Sequence, residues 1–401
     1  MDSGDGLLYR LWLNILCGHN PRLIHKCIEG CGSAEEIYNS DTLYKRAVSF
    51  LGIRARLRAH RDLDTARQLA EFCSESGIDI ITIDDRRYPR RLAEVYMPPQ
   101  LIYVKGELPD IDSLVSITVV GSRECSDYGR KFANELAYDM AKAGVLIVSG
   151  MAMGIDAAAH RGALAAGHMT AAVLAGGVDV VYPAANRELY REIERRGAII
   201  SERPPQTVGR GNFYRERNRI LAGLSCGVVI VEGGESSGTK LTANHAIDSN
   251  RDLFAVPGKP GDEGAELPNR LIKDSARLVT SAEDIISEYI SVYPIELKYG
   301  IDMIDETHSE RRRRRINDNE PKGTAAQNRS SAEEKKPPRS FENFDGKQRI
   351  ILEYLYHNNE AHIDDISHDC NIAMSELSFL IIQLEMQQVI TQSAGEHFSL
   401  R

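Results

Sequence analysis

The sequence lacks the features that mark secreted, metal-binding and membrane proteins. Its seven cysteines are odd in number, scattered and without a Cys-x-x-Cys pair, so neither a disulfide framework nor a zinc site is predicted. No apolar run approaches the length of a membrane span, and the N-terminus has no basic-then-apolar signal layout. These absences predict a cytoplasmic protein that binds no metal ion and has no membrane partner.

A strong excess of positive charge is also lacking. The chain has 401 residues, a hydrophobic fraction of 42% and a net charge of −9. This length and composition are typical of a soluble protein with two or three domains and a sizeable core. The acidic balance argues against indiscriminate coating of nucleic acids, although it allows a local basic groove.

Residues 1–76 have the pattern of a small helical module. Leu7, Leu8, Leu11, Trp12 and Ile15 share one face at helical spacing, and glycines divide the segment into short helices. Such a segment is compatible with a helix-hairpin-helix or sterile-alpha-motif module. It is equally compatible with a plain helical cap on the next domain.

Residues 77–290 have the pattern of an α/β domain. A strand candidate at 78–83 and extended chain up to residue 104 lead into six apolar strands that alternate with helical segments. The six strands are predicted at Ile117–Val120, Val145–Val148, Thr170–Leu174, Ala198–Ile200, Gly227–Val231 and Leu253–Val256. This alternation predicts a doubly wound parallel sheet. Since no G-x-G-x-x-G follows the first of the six, no dinucleotide cofactor is predicted.

Small residues and one arginine follow the predicted strands. The carboxyl ends of parallel strands lie at one edge of a sheet, where ligands bind, so we expect these residues to line a crevice that favours phosphates. The candidates are Gly121, Ser122, Arg123, Ser149, Gly150, Gly154, Gly176 and Gly177. Arg123 follows a strand end and a two-residue turn, which favours a phosphate contact over a merely solvated side chain.

The stretch 212–244 places a cationic cluster beside a buried strand and a glycine-rich loop. The cluster consists of a ring, three guanidinium groups and an amide that suit nucleic-acid contacts, from Tyr214, Arg215, Arg217, Asn218 and Arg219. Tyr214 could stack on a base or pack against a neighbouring helix. Asn218 could bind a base edge or cap the next helix.

The loop at 233–240 resembles a P-loop except that its last two residues are exchanged. It reads G-x-x-x-x-G-T-K, whereas a P-loop ends in Gly-Lys-Ser/Thr. In a P-loop the lysine reaches the outer phosphates and the hydroxyl ligates Mg²⁺, so the exchange moves both groups off their targets. We therefore predict that Ser237, Gly238, Thr239 and Lys240 cradle a phosphate without hydrolysing ATP. The alternative is a tight turn that only connects strand and helix.

Asp156 and His160 lie four residues apart and could meet on one helix face. Such a pair would suit acid–base chemistry, but no second carboxylate, nucleophile elbow or metal-spaced set accompanies it. The sequence therefore favours a structural role for both residues, and we predict no catalytic residue.

Eight motifs follow one another between roughly residues 80 and 290. They are VVGSR (119–123), SGMAMGIDAAAHRGAL (149–164), VLAGGVDVVYPAANRELY (173–190), the Ser201-Glu202 pair, RNRILAGLS (217–225), SGTKLTANHA (237–246), FAVPG (254–258) and NRLI (269–272). In this order they resemble the DNA processing protein A family, also called DprA or Smf. The resemblance implies an extended Rossmann-like fold that binds single-stranded DNA, protects incoming DNA and loads the RecA recombinase in natural transformation and recombination. It further implies a homodimer that is not an enzyme and needs no cofactor.

Two features depart from the family pattern. Arg215 stands where members usually have proline, and the loop has Gly233-Gly234 and Lys240 where a less polar version is common. Both Arg215 and Lys240 add positive charge to the expected groove.

Two other functions compete with strand binding. The glycine loop also resembles the lysine-decarboxylase-like nucleotide phosphoribohydrolases, which would make the chain a nucleotide-binding or nucleotide-hydrolysing enzyme. Those enzymes carry a glutamate shortly after Gly-Thr, where this chain has Lys240-Leu241-Thr242. A nucleotide-sensing domain would use the same pocket but would prefer a mononucleotide to an oligonucleotide.

The globular pattern fades after the α/β domain and returns near the C-terminus. Residues 291–342, with five consecutive arginines at 311–315, have the composition of a disordered basic linker. Residues 343–401 predict three helices and a two-stranded wing, as in a winged helix. From residue 341 onward the chain has three basic and ten acidic residues, so we expect this domain to be repelled by DNA and to have a protein-contact or autoregulatory role instead.

Overall fold

The computed structural model describes residues 4–235, 237–293 and parts of 344–400. The chain divides into two compact units, Met1–Glu320 and Pro321–Arg401. The predicted linker lies outside the described residues except for its first three positions. Among the described residues, no helix combines the length and apolar character that crossing a membrane would require.

The first unit begins with a helical module. Its helices are α1 Gly4–Leu16, α2 Pro21–Cys31, α3 Ala34–Asn39, α4 Asp41–Ser49, α5 Ile53–Arg56 and α6 Asp64–Glu75. Local sequence sets two of their starts: Asn20 caps α2 ahead of a proline, and Ser33 and Glu36 form a reciprocal capping box on α3. The apolar faces of the module pack in one cluster with side chains of the sheet, including Tyr103 and Ile199. The helical module therefore packs against the sheet.

Among the described residues, the main sheet has nine strands. They are β1 Asp79–Thr82, β2 Leu101–Gly106, β3 Ser116–Val120, β4 Leu146–Ser149, β5 Thr170–Val173, β6 Ala198–Ser201, β7 Gly227–Ile230, β8 Asp252–Ala255 and β9 Arg277–Leu278. Their order is β1-β2-β6-β5-β4-β3-β7-β8-β9. The ladders from β6 to β9 are all parallel, whereas β1 and β2 pair antiparallel with each other and β2 pairs antiparallel with β6. The predicted doubly wound, Rossmann-like sheet is confirmed.

Helices cover both faces of this sheet. They are α7 Arg90–Ala93, α8 Asp127–Lys142, α9 Ile155–Ala165, α10 Arg187–Arg196, α11 Gly211–Gly223, α12 Thr239–Asp248, α13 Glu266–Lys273 and α14 Glu283–Tyr289. Alternation along β3 shows the two layers: Ile117 and Val119 pack in the cluster of α8, α9 and α14, whereas Val120 packs with α11 and α12. Burial of both faces explains why the central strands are continuous apolar runs.

The second unit combines two described helices with a small sheet, and the winged helix stays a prediction. Its described elements are α15 Gly346–Asn358, β10 Glu360–His362, α16 Ile363–Asp369, β11 Ile390–Ser393 and β12 His397–Leu400. The three strands form an antiparallel sheet in the order β10-β12-β11. Leu377, Leu380, Ile381 and Leu384 belong to its buried core. Most other residues of the predicted third helix lie outside the described residues.

Candidate functional site

A cleft of about 690 Å³ opens at the carboxyl ends of β3 and β7. These parallel strands are neighbours, and the winding of the chain reverses between them, with β4, β5 and β6 on one side and β8 and β9 on the other. Loops that leave such a switch point diverge and create a ligand crevice. Ten of the predicted site residues line this cleft: Gly121, Ser122, Arg123, Tyr214, Arg217, Asn218, Ser237, Gly238, Thr239 and Lys240.

The loop after β3 is held by close backbone contacts. The Ser122 N–H donates to the carbonyl of Glu232 at 2.9 Å, and the Ser122 carbonyl accepts from Ile155 at 3.2 Å. A Cβ atom at Gly121 would lie 2.6 Å from the Ile155 side chain. At Gly154, with a φ of +76°, a Cβ would lie 2.3 Å from the Ser122 carbonyl oxygen. These glycines therefore let neighbouring backbones approach, and Gly154 itself does not line the cleft.

Arg123 and Tyr214 of the cleft lining form a series of planar groups with Tyr182, which contacts Tyr214. The guanidinium carbon of Arg123 lies 5.0 Å from the ring centroid of Tyr214, within the range of a cation–π contact. The Tyr182 ring lies 6.2 Å from that of Tyr214 at an angle of 57°, and it is 59% exposed. Arg123 is exposed and Tyr214 is half-buried, so these groups are accessible to a planar ligand such as a nucleic-acid base.

Arg217 lies at the base of the cleft and is almost fully buried. Its Nη1 donates to the carbonyls of Gly150, at 2.9 Å, and Val173. A Cβ at Gly150 would lie 2.2 Å from the guanidinium, so the glycine is required because Arg217 occupies that space. Nε of Arg217 has no partner among the described residues.

Asp156 provides the charge that balances Arg217. Burial lowers the pKa of Arg217 and raises the pKa of Asp156, and the attraction between the two charges opposes both shifts. The Asp156 carboxylate also accepts from the backbone N–H of Ala152 at 3.4 Å.

The suggested acid–base pair on α9 does not form. His160 is fully buried, and its Nδ1 lies 2.8 Å from the Thr170 hydroxyl. Asp156 instead accepts from the backbone N–H of Ala152, so the two side chains have different hydrogen-bond partners. Burial lowers the pKa of His160 to about 3, with Arg217 acting in the same direction. A buried neutral imidazole of this kind is part of the core.

The loop after β7 is held from inside the protein. Asn218 Nδ2 donates to the Gly238 carbonyl at 3.3 Å, and the Thr239 N–H donates to the Ser237 hydroxyl at 3.1 Å. Asn218 thus positions the loop. Gly238 is exposed with open space around it, and Lys240 is half-buried at the first turn of α12. The helix dipole adds positive potential on the cleft side of this loop.

Basic side chains outnumber acidic ones in the lining. The basic residues are Arg123, Arg215, Arg217 and Lys240, and the acidic ones are Glu124, Asp156 and Glu235. Asp156 is balanced by Arg217, and Glu235 pairs with Arg270 at 2.7 Å, which lowers the pKa of that glutamate. Arg123, Arg215 and Lys240 therefore give the cleft a local positive potential within an acidic chain.

The family model for DNA recombination-mediator protein A matches residues 79–290, from β1 to the end of α14. The chain belongs to this family. The resemblance predicted from the eight motifs is confirmed.

Individual relatives agree with this assignment. DNA processing protein DprA of Bacillus subtilis (strain 168) is 38% identical over 222 residues, which are 55% of this chain and 74% of that protein. DprA of Streptococcus pneumoniae R6 is 37% identical over 227 residues, or 57% of this chain and 79% of that one. The X-ray structure of DNA processing protein A from Streptococcus pneumoniae superimposes with a TM-score of 0.59 at 32% identity and covers 72% of this chain and 99% of that chain.

Several residues of the DprA motifs lie outside the cleft. Ser149 is buried and donates to the Val119 carbonyl at 2.6 Å. A Cβ at Gly176 would lie 2.6 Å from the Thr207 carbonyl oxygen, and one at Gly177 would lie 2.7 Å from the carbonyl of a proline in the same segment. The DprA motifs therefore combine residues that can meet a ligand with residues that pack the loops behind them.

Arg219 does not line the cleft, although we predicted a phosphate contact. Arg219 is 4% exposed as a residue, and its side chain pairs with Glu202, which is 8% exposed. Two residues along a helix correspond to about 200° of rotation, so Arg217 and Arg219 point in nearly opposite directions. The second arginine of the Arg-Asn-Arg motif thus neutralises the glutamate of the Ser201-Glu202 motif.

Two other residues of the cleft lining were not among the site residues predicted from the sequence. Asn244 is exposed in the lining one helical turn beyond Lys240, and this i, i+4 spacing could have identified it. Arg215 was part of the predicted cationic cluster but was not among the candidate site residues. It is exposed in the lining next to Tyr214.

Proposed function

We propose that this chain binds single-stranded DNA in the β3–β7 cleft, protects it, and passes it to a RecA-type recombinase. The observation that carries the proposal is the convergence of Arg123, Tyr214, Arg217 and Lys240 at the switch point of the sheet. Guanidinium and ammonium groups bind phosphates. Family membership supports a role in DNA processing during recombination.

The aromatic groups favour a single strand over a duplex. Bases in a duplex are stacked on each other, whereas a single strand can place a base against the accessible rings of Tyr214 and Tyr182. Stacking contributes about 1–3 kcal/mol per base and tolerates any sequence. We therefore expect tight binding of single strands with little sequence preference.

The order of residues in the β7–α12 loop favours a binding role over hydrolysis. Thr239 precedes Lys240, the reverse of the order that a P-loop needs to place lysine and Mg²⁺ on a nucleotide. Leu241 and Thr242 follow where a phosphoribohydrolase would have its glutamate. We accordingly propose that the cleft holds phosphates and leaves the strand intact.

The direct test is an anisotropy titration of a labelled oligodeoxythymidylate with the full chain. Replacing Arg123 or Lys240 with alanine should weaken binding about tenfold. The slope of log K against log salt should fall in magnitude by about 0.7 for each lost phosphate contact. Arg191→Ala, which removes an exposed arginine of α10 outside the cleft, is the matched control.

The same titration separates the competing functions. Binding of thymidine monophosphate as tight as that of the oligonucleotide would favour a nucleotide sensor or hydrolase. Unchanged strand affinity in both cleft variants would refute the proposed site. Equal affinity for duplex and single strand would refute the role of the two tyrosines.

We further propose that the chain acts as a homodimer, because two linked strand sites would help to load a recombinase. Light scattering that gives a strict monomer at micromolar concentration would contradict this. For the recombinase, the measurement is RecA filament formation on single strands that are coated by a competing binding protein. The unaltered chain should accelerate it, and Arg123→Ala should not.

A further inference from the structure

Four arginines lie between residues 54 and 61, and two of them maintain the structure of the helical module. Arg56 donates from Nε to the Leu51 carbonyl at 2.7 Å and from Nη2 to the Ser49 carbonyl. Arg61 pairs with Asp41. These contacts hold the α4–α5 turn and the segment before α6 in place.

The other two, Arg54 and Arg58, are exposed and have no hydrogen-bond or ion-pair partner in the part of the chain that the structure describes. Both line a cleft of about 500 Å³ in the helical module. The indole N–H of Trp12 donates to the His60 carbonyl at 3.0 Å and so fixes this rim to α1. The apolar part of the cleft includes Trp12, Ile15 and Leu16 of α1.

The charge around this cleft is unbalanced. Its lining contains Arg54, Arg58 and His60, and Asp62 is its one carboxylate among the described residues. That carboxylate is already engaged, because its Oδ1 accepts from the backbone N–H of Asp64 at 3.1 Å. The cleft is therefore suited to an anionic group that can accept from two guanidinium groups.

Apolar side chains in the same segment indicate which kind of anion. Ile53 and Leu57 are 78% and 81% exposed, next to the two unpaired arginines. Aliphatic side chains interleaved with arginine are typical of protein interfaces. Bases would need an accessible ring, but Trp12 is only 3% exposed. A peptide with carboxylates and an apolar side chain matches this surface better than a nucleic acid.

We propose that the cleft bounded by Arg54, Arg58 and Trp12 binds an acidic segment of a protein partner, anchored by one apolar or aromatic side chain. The carboxylates pair with the two guanidinium groups, and the anchor packs on Ile15 and Leu57. None of these residues lines the β3–β7 cleft, so this site stands apart from the proposed strand-binding function.

The test uses the full chain and a fluorescein-labelled peptide of sequence Gly-Asp-Asp-Glu-Leu-Phe in an anisotropy titration. The double variant Arg54→Glu with Arg58→Glu should bind the peptide at least about tenfold more weakly, since two attractive pairs become repulsive. The matched control Arg22→Glu with Arg46→Glu reverses two exposed arginines elsewhere in the module and should change affinity less than about twofold. Oligodeoxythymidylate affinity should be the same in all these proteins.

Other outcomes would overturn the proposal. These are no peptide binding by the unaltered chain at about millimolar concentration, or equal losses in the double variant and its control. If the double variant lost affinity for oligodeoxythymidylate and kept its affinity for the peptide, Arg54 and Arg58 would bind nucleic acid instead of an acidic peptide. The charge-neutral pair Arg54→Gln with Arg58→Gln repeats the measurement without reversed charge, and far-ultraviolet circular dichroism checks that each variant is folded.

Discussion

Arg123 and Arg219 are both in family motifs, but they belong to different layers of the molecule. The lining of the β3–β7 cleft has accessible groups such as Arg123 and Lys240, whereas Arg219 just behind it is 4% exposed and paired with Glu202. Glycines divide in the same way. Gly238 in the lining has open space around it, whereas Gly154 behind it has backbone within contact distance.

The difference shows that residue type alone does not separate binding from support. The buried layer fixes where the loops leave the sheet, and the lining then presents charge and rings at that place. Changes in the buried layer should therefore lower stability, and changes in the lining should lower affinity without lowering stability. Four predictions test this division, in order of decreasing effect.

The largest effect is expected from breaking the buried pair of Arg219 and Glu202. Arg219→Ala leaves a carboxylate in the core without its partner, which should lower the free energy of unfolding by about 3–5 kcal/mol. The single tryptophan, Trp12, is buried in the first unit and reports its unfolding in urea. Strand affinity of the folded variant should change less than about twofold.

The apolar double variant Arg219→Met with Glu202→Leu is the control, because it removes both charges together. It should recover most of the lost stability. If Arg219→Ala is stable but loses strand affinity, Arg219 contacts DNA and the two layers are not separate in this way.

The next effect concerns Gly154. An alanine there would have to adopt a φ of +76° and place its Cβ 2.3 Å from the Ser122 carbonyl oxygen and 2.6 Å from that of Arg123. Left-handed backbone and overpacking should together cost about 3 kcal/mol. Differential scanning calorimetry measures the change. A stability equal to that of the unaltered chain would mean that the β3 loop is not held by this contact.

Much of the fold was predictable because its signals are local. The central strands were predicted to within about one residue, since a parallel sheet covered on both faces needs continuous apolar runs. β9 was missed because two residues carry no periodic pattern. The antiparallel pairing of β1 and β2 could not be derived, because strand order depends on contacts between distant segments.

The position of the site was predictable from the sequence, but the roles of some of its residues were not. Strand ends and the glycine loop located the crevice, since parallel strands place these positions at one edge. The roles of Arg219, Ser149 and Gly176 could not be predicted, because each depends on a partner from another part of the chain. Arg217 and Arg219 flank the same asparagine, so the sequence does not distinguish them. The orientation of α11 against the sheet places Arg217, and not Arg219, in the cleft lining.

The third prediction concerns pH and the buried layer. The pKa of His160 is about 3 in the folded protein, against about 6.5 when exposed, so the unfolded chain binds a proton that the folded chain excludes. Stability is therefore full above about pH 6.5 and falls as the pH decreases towards 3. The slope is about 1.4 kcal/mol per pH unit, or about 2 kcal/mol between pH 6.5 and 5.

Urea unfolding at pH 7, 6 and 5 measures this loss. His160→Gln should make the dependence shallower and leave the part due to His19, whose pKa burial lowers to about 4, whereas His60→Gln, which replaces an exposed histidine, should keep the full dependence. An unchanged slope in His160→Gln would show that other groups cause the acid sensitivity. Strand affinity at constant salt should not follow the same profile, because His160 does not line the cleft.

The smallest effect is expected in the lining, at Gly238. Its backbone has right-handed helical angles, with φ −60° and ψ −18°, and no atom lies within 4 Å of an added Cβ. Alanine fits there without strain and restricts the unfolded chain, so Gly238→Ala should stabilise the protein by about 0.4–1 kcal/mol. The methyl group would face the space where we propose a phosphate binds, so strand affinity should fall two- to fivefold, by about 0.4–1 kcal/mol. Calorimetry and the oligodeoxythymidylate titration, done on the same preparation, should thus move in opposite directions. A loss of stability at Gly238 as large as that at Gly154 would mean that the β7 loop is as tightly packed as the β3 loop, and the distinction between lining and support would fail.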